Sequence, residues 1–151
     1  MSAVSGASNS GGSGGGPRSL PLILARELAA NLATPMFLLD ADGMLVFYNE
    51  AAALLIGRPF GELGEIPSSD FARTLDMATP DGVALRSRMD SPAGIAYLEH
   101  RPAHATLWVT NYAGNRLLVD ATAYPLFGSE GIMHGVMSVF WEHRDLGEAS
   151  E

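Results

Sequence analysis

Between Phe37 and Gly57 the chain reads FLLDADGMLVFYNEAAALLIG, and the spacing of its apolar residues changes partway along. Two short apolar runs, PMFLLD and MLVFYN, flank an Asp-Gly step. That pattern predicts an antiparallel hairpin in which Gly43 supplies the positive φ of the turn. After Asn49 the pattern EAAALLIG becomes helical, with Gly57 placed to follow the last helical residue. Asn49 therefore stands where strand must become helix. Its side-chain oxygen is expected to accept a bond from an orphan N–H of the first turn, a structural cap worth about 1 kcal/mol. A catalytic asparagine is the alternative reading, but no nucleophile accompanies it.

Upstream, SLPLILARELAANL has Ser19 as a capping residue, Pro21 in the first turn and leucines at Leu20, Leu24, Leu28 and Leu32. This predicts an amphipathic helix over residues 19–33. Its stripe either covers the helix's own domain or pairs with a second copy. An uncovered stripe would be an apolar patch of several hundred Å², so the four leucines are dimerisation candidates and a homodimer is expected. Residues 58–90 mix glycine, proline and acidic residues with short helical pieces, the best being DFARTLDMA capped by Ser68 or Ser69. SPAGIAYLEHRP reads as a helix capped by Ser91, opened by Pro92 and ended by Pro102. The last third, ATLWVTNY, RLLVDATAYPLF and IMHGVMSVFWE separated by AGN and GSEG turns, predicts a three-strand meander. The fold class is therefore α+β: a five-stranded antiparallel sheet with short helices packed on one side, preceded by the amphipathic N-terminal helix. The domain is expected over residues 34–143, with a disordered Gly/Ser-rich tail over 1–18 and a short tail over 144–151.

Composition removes many functions. At 151 residues the chain suits one domain, and its net charge of -8 argues against nucleic acid as a partner. It has no cysteine, and all nine basic residues are arginine, which excludes thiolate metal sites, thiol catalysis, Schiff bases and the phosphate-loop lysine. Neither a signal peptide nor a bilayer-spanning run is present, so a cytoplasmic protein with no membrane partner is expected.

Candidate chemistry is sparse. His100 and His104 have helical spacing, but Pro102 between them breaks the geometry of a metal pair, so no metal site is assigned. Ser68, Ser69 and Asp70, and Ser129, Glu130 and His134, do not form a nucleophile elbow or a spaced triad and read as a cap and a turn. No enzymatic activity is expected. Alternation places Val119, Ala121 and Ala123 on one face of the penultimate strand and divides the last strand into Met137, Val139 and Trp141 against Val136, Ser138 and Phe140. Small alanines opposite flexible methionines make Val119, Ala121, Ala123, Met137, Val139 and Trp141 the pocket candidates for a small apolar ligand. Close packing favours the other outcome, a filled core in which methionine takes up slack.

The ordered set DADG, YNEAA, Gly57, NYAGN, ATAYPL and the closing IMHGVMSVF resembles a PAS domain from Thr34 to Glu142. The resemblance implies a sensory or protein-interaction module that encloses a small ligand or cofactor and pairs through an N-terminal helix. It also implies a signal passed to an attached output domain. Many members continue into an Asp-Ile-Thr linker, whereas this chain reads Glu142, His143, Arg144, so signalling to a partner protein in trans is expected. Members that form a flavin–cysteine adduct or carry a thioester-linked chromophore are excluded by the missing cysteine; noncovalent flavin stays open. In haem-binding members one axial imidazole suffices, and His100 is the candidate by order along the chain. The expected function is a non-catalytic sensor or adaptor, with a haem-based gas or redox sensor and a purely structural dimerisation module with a filled core as alternatives.

Overall fold

The computed structural model describes residues 19–85 and 90–144. The tail expected over 1–18, and the C-terminal tail beyond Arg144, lie outside the described residues.

Helix α1 (Leu20–Ala30) leads into strands β1 (Met36–Asp40) and β2 (Met44–Tyr48). Helix α2 (Glu50–Ile56), helix α3 (Phe60–Leu63), strand β3 (Ile66–Pro67), helix α4 (Ser68–Leu75) and helix α5 (Pro92–Glu99) follow. Strands β4 (Ala103–Thr110), β5 (Arg116–Phe127) and β6 (Met133–Glu142) complete the fold. All pairings are antiparallel, and the sheet order is β3-β2-β1-β6-β5-β4.

The expected sheet is therefore present with one strand more than the sequence pattern indicated. The addition, β3, pairs only Ile66 with Leu45 and Pro67 with Met44. Two residues show no periodicity, and proline is tolerated there because β3 is an edge strand. The hairpin turns at Gly43 with φ 83°, and α2 ends at Gly57 with φ 86°. A Cβ at Gly57 would also come within 3.1 Å of the Ala113 backbone nitrogen, so space and backbone angle both require glycine. Two caps differ from expectation. Helix α4 begins at Ser68 itself, after Pro67, with no side-chain cap, and Ser19 precedes α1 without making a cap bond.

Helices lie on both faces of the sheet. One cluster joins Leu39, Leu45 and Tyr48 to Ala52 and Ile56 of α2, Phe71 of α4 and Ala96 of α5. A second joins Leu22 and Ala25 of α1 to Leu38, Val46, Leu126 and Met137 on the opposite face. Alanines at 25 and 29 allow the α1 backbone to approach the sheet, and Arg26 lies over the Phe47 ring at 4.6 Å. Leu20, Leu24 and Leu28 point away, 64%, 58% and 52% exposed; the helix stops at Ala30, short of the expected residue 33, and Leu32 beyond it is 38% exposed. The four leucines are thus not the face by which α1 packs on its own domain. No helix among the described residues is long and apolar enough to cross a membrane.

Candidate functional site

The helix-side core is not filled. A cavity of about 90 Å³ lies between the sheet and helices α2, α4 and α5. Phe37 and Leu39 of β1, Leu107 and Val109 of β4, Leu117, Val119 and Ala121 of β5, and Ser138 and Phe140 of β6 form its sheet wall. Leu55 and Ile56 of α2, Phe71 of α4 and Pro92 to Gly94 of α5 form the other side. Alternation explains the sheet wall, since each strand sends every second residue inward. The small size of Ala121, Gly94 and Ala93 leaves the space that bulkier residues would occupy.

Among the described residues the lining carries no charged side chain, and its polar side chains are those of Ser68, Ser91, Asn111 and Ser138. Two of these organise the fold. Ser91 Oγ accepts from the Gly94 N–H at 3.1 Å and caps α5. Asn111 Oδ1 accepts from the N–H groups of Ala113 and Asn115, while its Nδ2 donates to the Leu55 carbonyl at 2.9 Å. The β4–β5 turn is thereby fastened to the end of α2, and the Tyr112 N–H adds a bond to the Ile56 carbonyl at 2.8 Å.

Of the six pocket candidates, Val119 and Ala121 line the cavity, and Ala123 is buried in the same core. Met137, Val139 and Trp141 are a correction: they belong to the opposite face. Ala121 is opposite Phe140 and Ala123 opposite Ser138, so the alanines share a face with Ser138 and Phe140. The cause is a register shift between Leu126 and Phe127, where Phe127 pairs with Met133 but Leu126 with Gly135. His134 is the extra residue. Without this bulge the alanines would face Met137 and Val139; one inserted residue reverses every side chain beyond it. Met137 instead packs beneath α1, and Trp141 is 42% exposed. Gly135 permits the close strand approach, because a Cβ there would meet the Leu39 carbonyl oxygen.

His100 is the second correction. It ends α5 in the left-handed region at φ 57°, is exposed, and sets its ring edge-on to Phe127 at 6.3 Å. It is not part of the cavity wall, so a haem ligated by His100 would lie outside the enclosed space. At about 90 Å³ the space is smaller than an engineered apolar cavity of about 150 Å³ that takes benzene, so a flavin would enter only with the walls moved apart. Among the described residues no group of three or more His, Asp or Glu side chains could hold a metal ion.

Asn49 caps α2, accepting from the Ala52 N–H at 2.9 Å. The residue is 3% exposed and does more than cap: its Oδ1 also accepts from the Met36 N–H, and its Nδ2 donates to the carbonyls of Ala29 and Thr34, each at 2.9 Å. Among the described residues two ionisable groups, Tyr48 and Asp120, are perturbed. Burial pushes the Tyr48 hydroxyl up to about 12, and it donates to the Arg58 carbonyl. Asp120, on the outer face, is raised by burial, but hydrogen bonds from Thr106 and His143 and the His143 charge outweigh this and hold its carboxyl below the usual value.

No protein-family model matches the chain, and no curated protein matches it. Solved structures do. The PAS domain of BvgS from Bordetella pertussis matches with a TM-score of 0.51 at 19% identity, over 85% of this chain and 90% of that one. The light-state dimer of the fungal blue-light photoreceptor Vivid gives 0.59 at 16%, over 88% and 99%. The PAS domain of the fruit-fly ELK potassium channel gives 0.63 at 10%, over 80% and 95%. The fold is that of a PAS-like domain.

Proposed function

We propose that this chain is a non-catalytic sensory or adaptor module that takes a small, uncharged, mainly apolar ligand in its cavity, pairs with a second copy through α1, and signals to a partner protein in trans. The observation that carries this reading is the cavity itself, lined among the described residues by apolar walls without a charged side chain. A charged ligand would enter without a counter-charge, which low-dielectric surroundings penalise heavily. The size favours a molecule no larger than a simple aromatic ring, and the Ser138 side chain offers it a hydrogen-bonding hydroxyl. Pairing is supported by α1, which is apolar nearly all round. A helix of that kind is covered on more than one side in globular proteins, and the exposed leucine stripe extends along the face turned from the sheet.

The test is an absorption spectrum with native mass spectrometry of the freshly purified protein, followed by titration with benzene and xenon. A colourless dimer that binds xenon is expected, the larger benzene binding more weakly. A Soret band lost in His100→Ala, or flavin absorption, would overturn the ligand class. A dimer whose cavity admits neither probe would leave a structural pairing module as the function.

A further inference from the structure

A helix cap needs only an acceptor oxygen, and aspartate or serine serves about as well as asparagine. The nitrogen of Asn49 is therefore superfluous for capping α2, yet it is fully engaged. Nδ2 donates to Ala29 O and Thr34 O at 2.9 Å, with Leu32 O at 3.4 Å. Ala29 belongs to the last turn of α1, where carbonyls lack partners within the helix. One carboxamide thus closes the C-terminal end of α1 with its nitrogen and the N-terminal end of α2 with its oxygen. The same oxygen also receives the Met36 N–H at the start of β1.

Both elements held by that oxygen continue into the cavity wall. β1 presents Phe37 and Leu39, and α2, two turns long, presents Leu55 and Ile56 at its far end. A short helix moves as a rigid rod, so a ligand pressing on Leu55 or Ile56 shifts the cap end as well. The planar amide passes that shift to the two carbonyls on its other side.

We propose that Asn49 is a positioning residue that ties α1 to the occupancy of the cavity, so that the surface offered by the leucine stripe responds to ligand. The inference rests on the cavity being a ligand site, as argued above. Asn49→Asp retains the cap oxygen and removes both donors, and Asn49→Ser retains the cap and removes the reach to α1. Xenon is the probe, read by amide chemical shifts of the full chain, with hydrogen exchange of α1 measured alongside.

In the wild type, xenon is expected to shift the amide signals of Leu55 and Ile56 and those of residues 28–34. In either variant the response at Leu55 and Ile56 persists, the response at 28–34 falls at least about fivefold, and α1 amides exchange about tenfold faster or more. Wild-type shifts confined to the cavity wall would overturn the coupling even if neither variant folds. So would a full response at residues 28–34 in a folded variant. No xenon response at Leu55 or Ile56 in the wild type would overturn the ligand-site reading and the coupling together.

Discussion

Ala121 faces the cavity from the middle of β5 and is 9% exposed, so Ala121→Val tests whether the space is real and what it costs. At about 24 cal/mol per Å³, a cavity of about 90 Å³ destabilises the fold by about 2 kcal/mol relative to a filled core. Valine adds two methyl-sized groups, which at about 0.8 kcal/mol each set a ceiling near 1.6 kcal/mol. Contacts imperfectly matched to the walls reduce that gain, and a branched residue suits a strand. The expected result is about 1 kcal/mol of added stability in urea melts with an unchanged m-value, and a thermal midpoint higher by about 4 °C. Xenon binding should fall in step. A variant destabilised by 1 kcal/mol or more that still binds xenon would show that Ala121 is already in close contact and that the free space lies elsewhere, which would refute the cavity geometry.

Three further outcomes follow from the geometry. Asn49→Ala should cost about 3 kcal/mol in urea melts, well above an ordinary cap, because it leaves two N–H groups, of Met36 and Ala52, without their acceptor and removes the donor to the Ala29 and Thr34 carbonyls; a loss under 1 kcal/mol would mean that the α1 contacts contribute nothing. Leu24→Arg with Leu28→Arg should yield a folded monomer by sedimentation and circular dichroism, since both positions are exposed on the free chain and a charge at a two-fold contact meets its like; unchanged dimer would place the interface elsewhere. Asp120 has its folded pKa lowered from 3.8, so the stability it lends to β4, β5 and the end of β6 is fully present above that value and lost as pH falls through the folded pKa. Melts of Asp120→Asn against wild type should differ fully above pH 3.8 and converge as the pH falls through the lower folded pKa, and a gap that stays constant into acid would rule out the carboxylate.

Most of the fold was legible because it is written in local signals: the Asp-Gly turn, the change of period at Asn49, and the long alternating runs of β5 and β6. What escaped is non-local. Alternation divides each strand into two faces, but which face of β6 joins which face of β5 depends on the turn between them, and the His134 bulge reversed that assignment. The signals that could have raised the alternative are glycines at 128 and 135 flanking the turn, since glycine in a strand pattern often marks a bulge. Helix α1 misled for another reason. Its largest apolar residues were read as the stripe to be covered, whereas the sheet is met by Leu22 and the small Ala25 and Ala29. The cavity was beyond reach because volume left unfilled is a property of seven elements together and has no period.

The two unfilled apolar features lie on opposite sides of one sheet and share its strands. β1 turns Phe37 and Leu39 to the cavity and Leu38 to α1, while β6 turns Ser138 and Phe140 to the cavity and Met137 to α1. A strand cannot move one face without the other, so the sheet is a second mechanical link between cavity and helix beside Asn49. Each feature is unfavourable in the isolated chain: the cavity at about 2 kcal/mol, and the leucine stripe as apolar surface left in water. In a domain whose total stability is of order 5–15 kcal/mol, the cavity term alone is a substantial fraction. On the proposed function both would be recovered by binding, a ligand removing the first and a second copy the second. Since both would act through the same strands and the same amide, recovering one would alter the free energy of recovering the other, and that mutual dependence is what a ligand-controlled dimer requires.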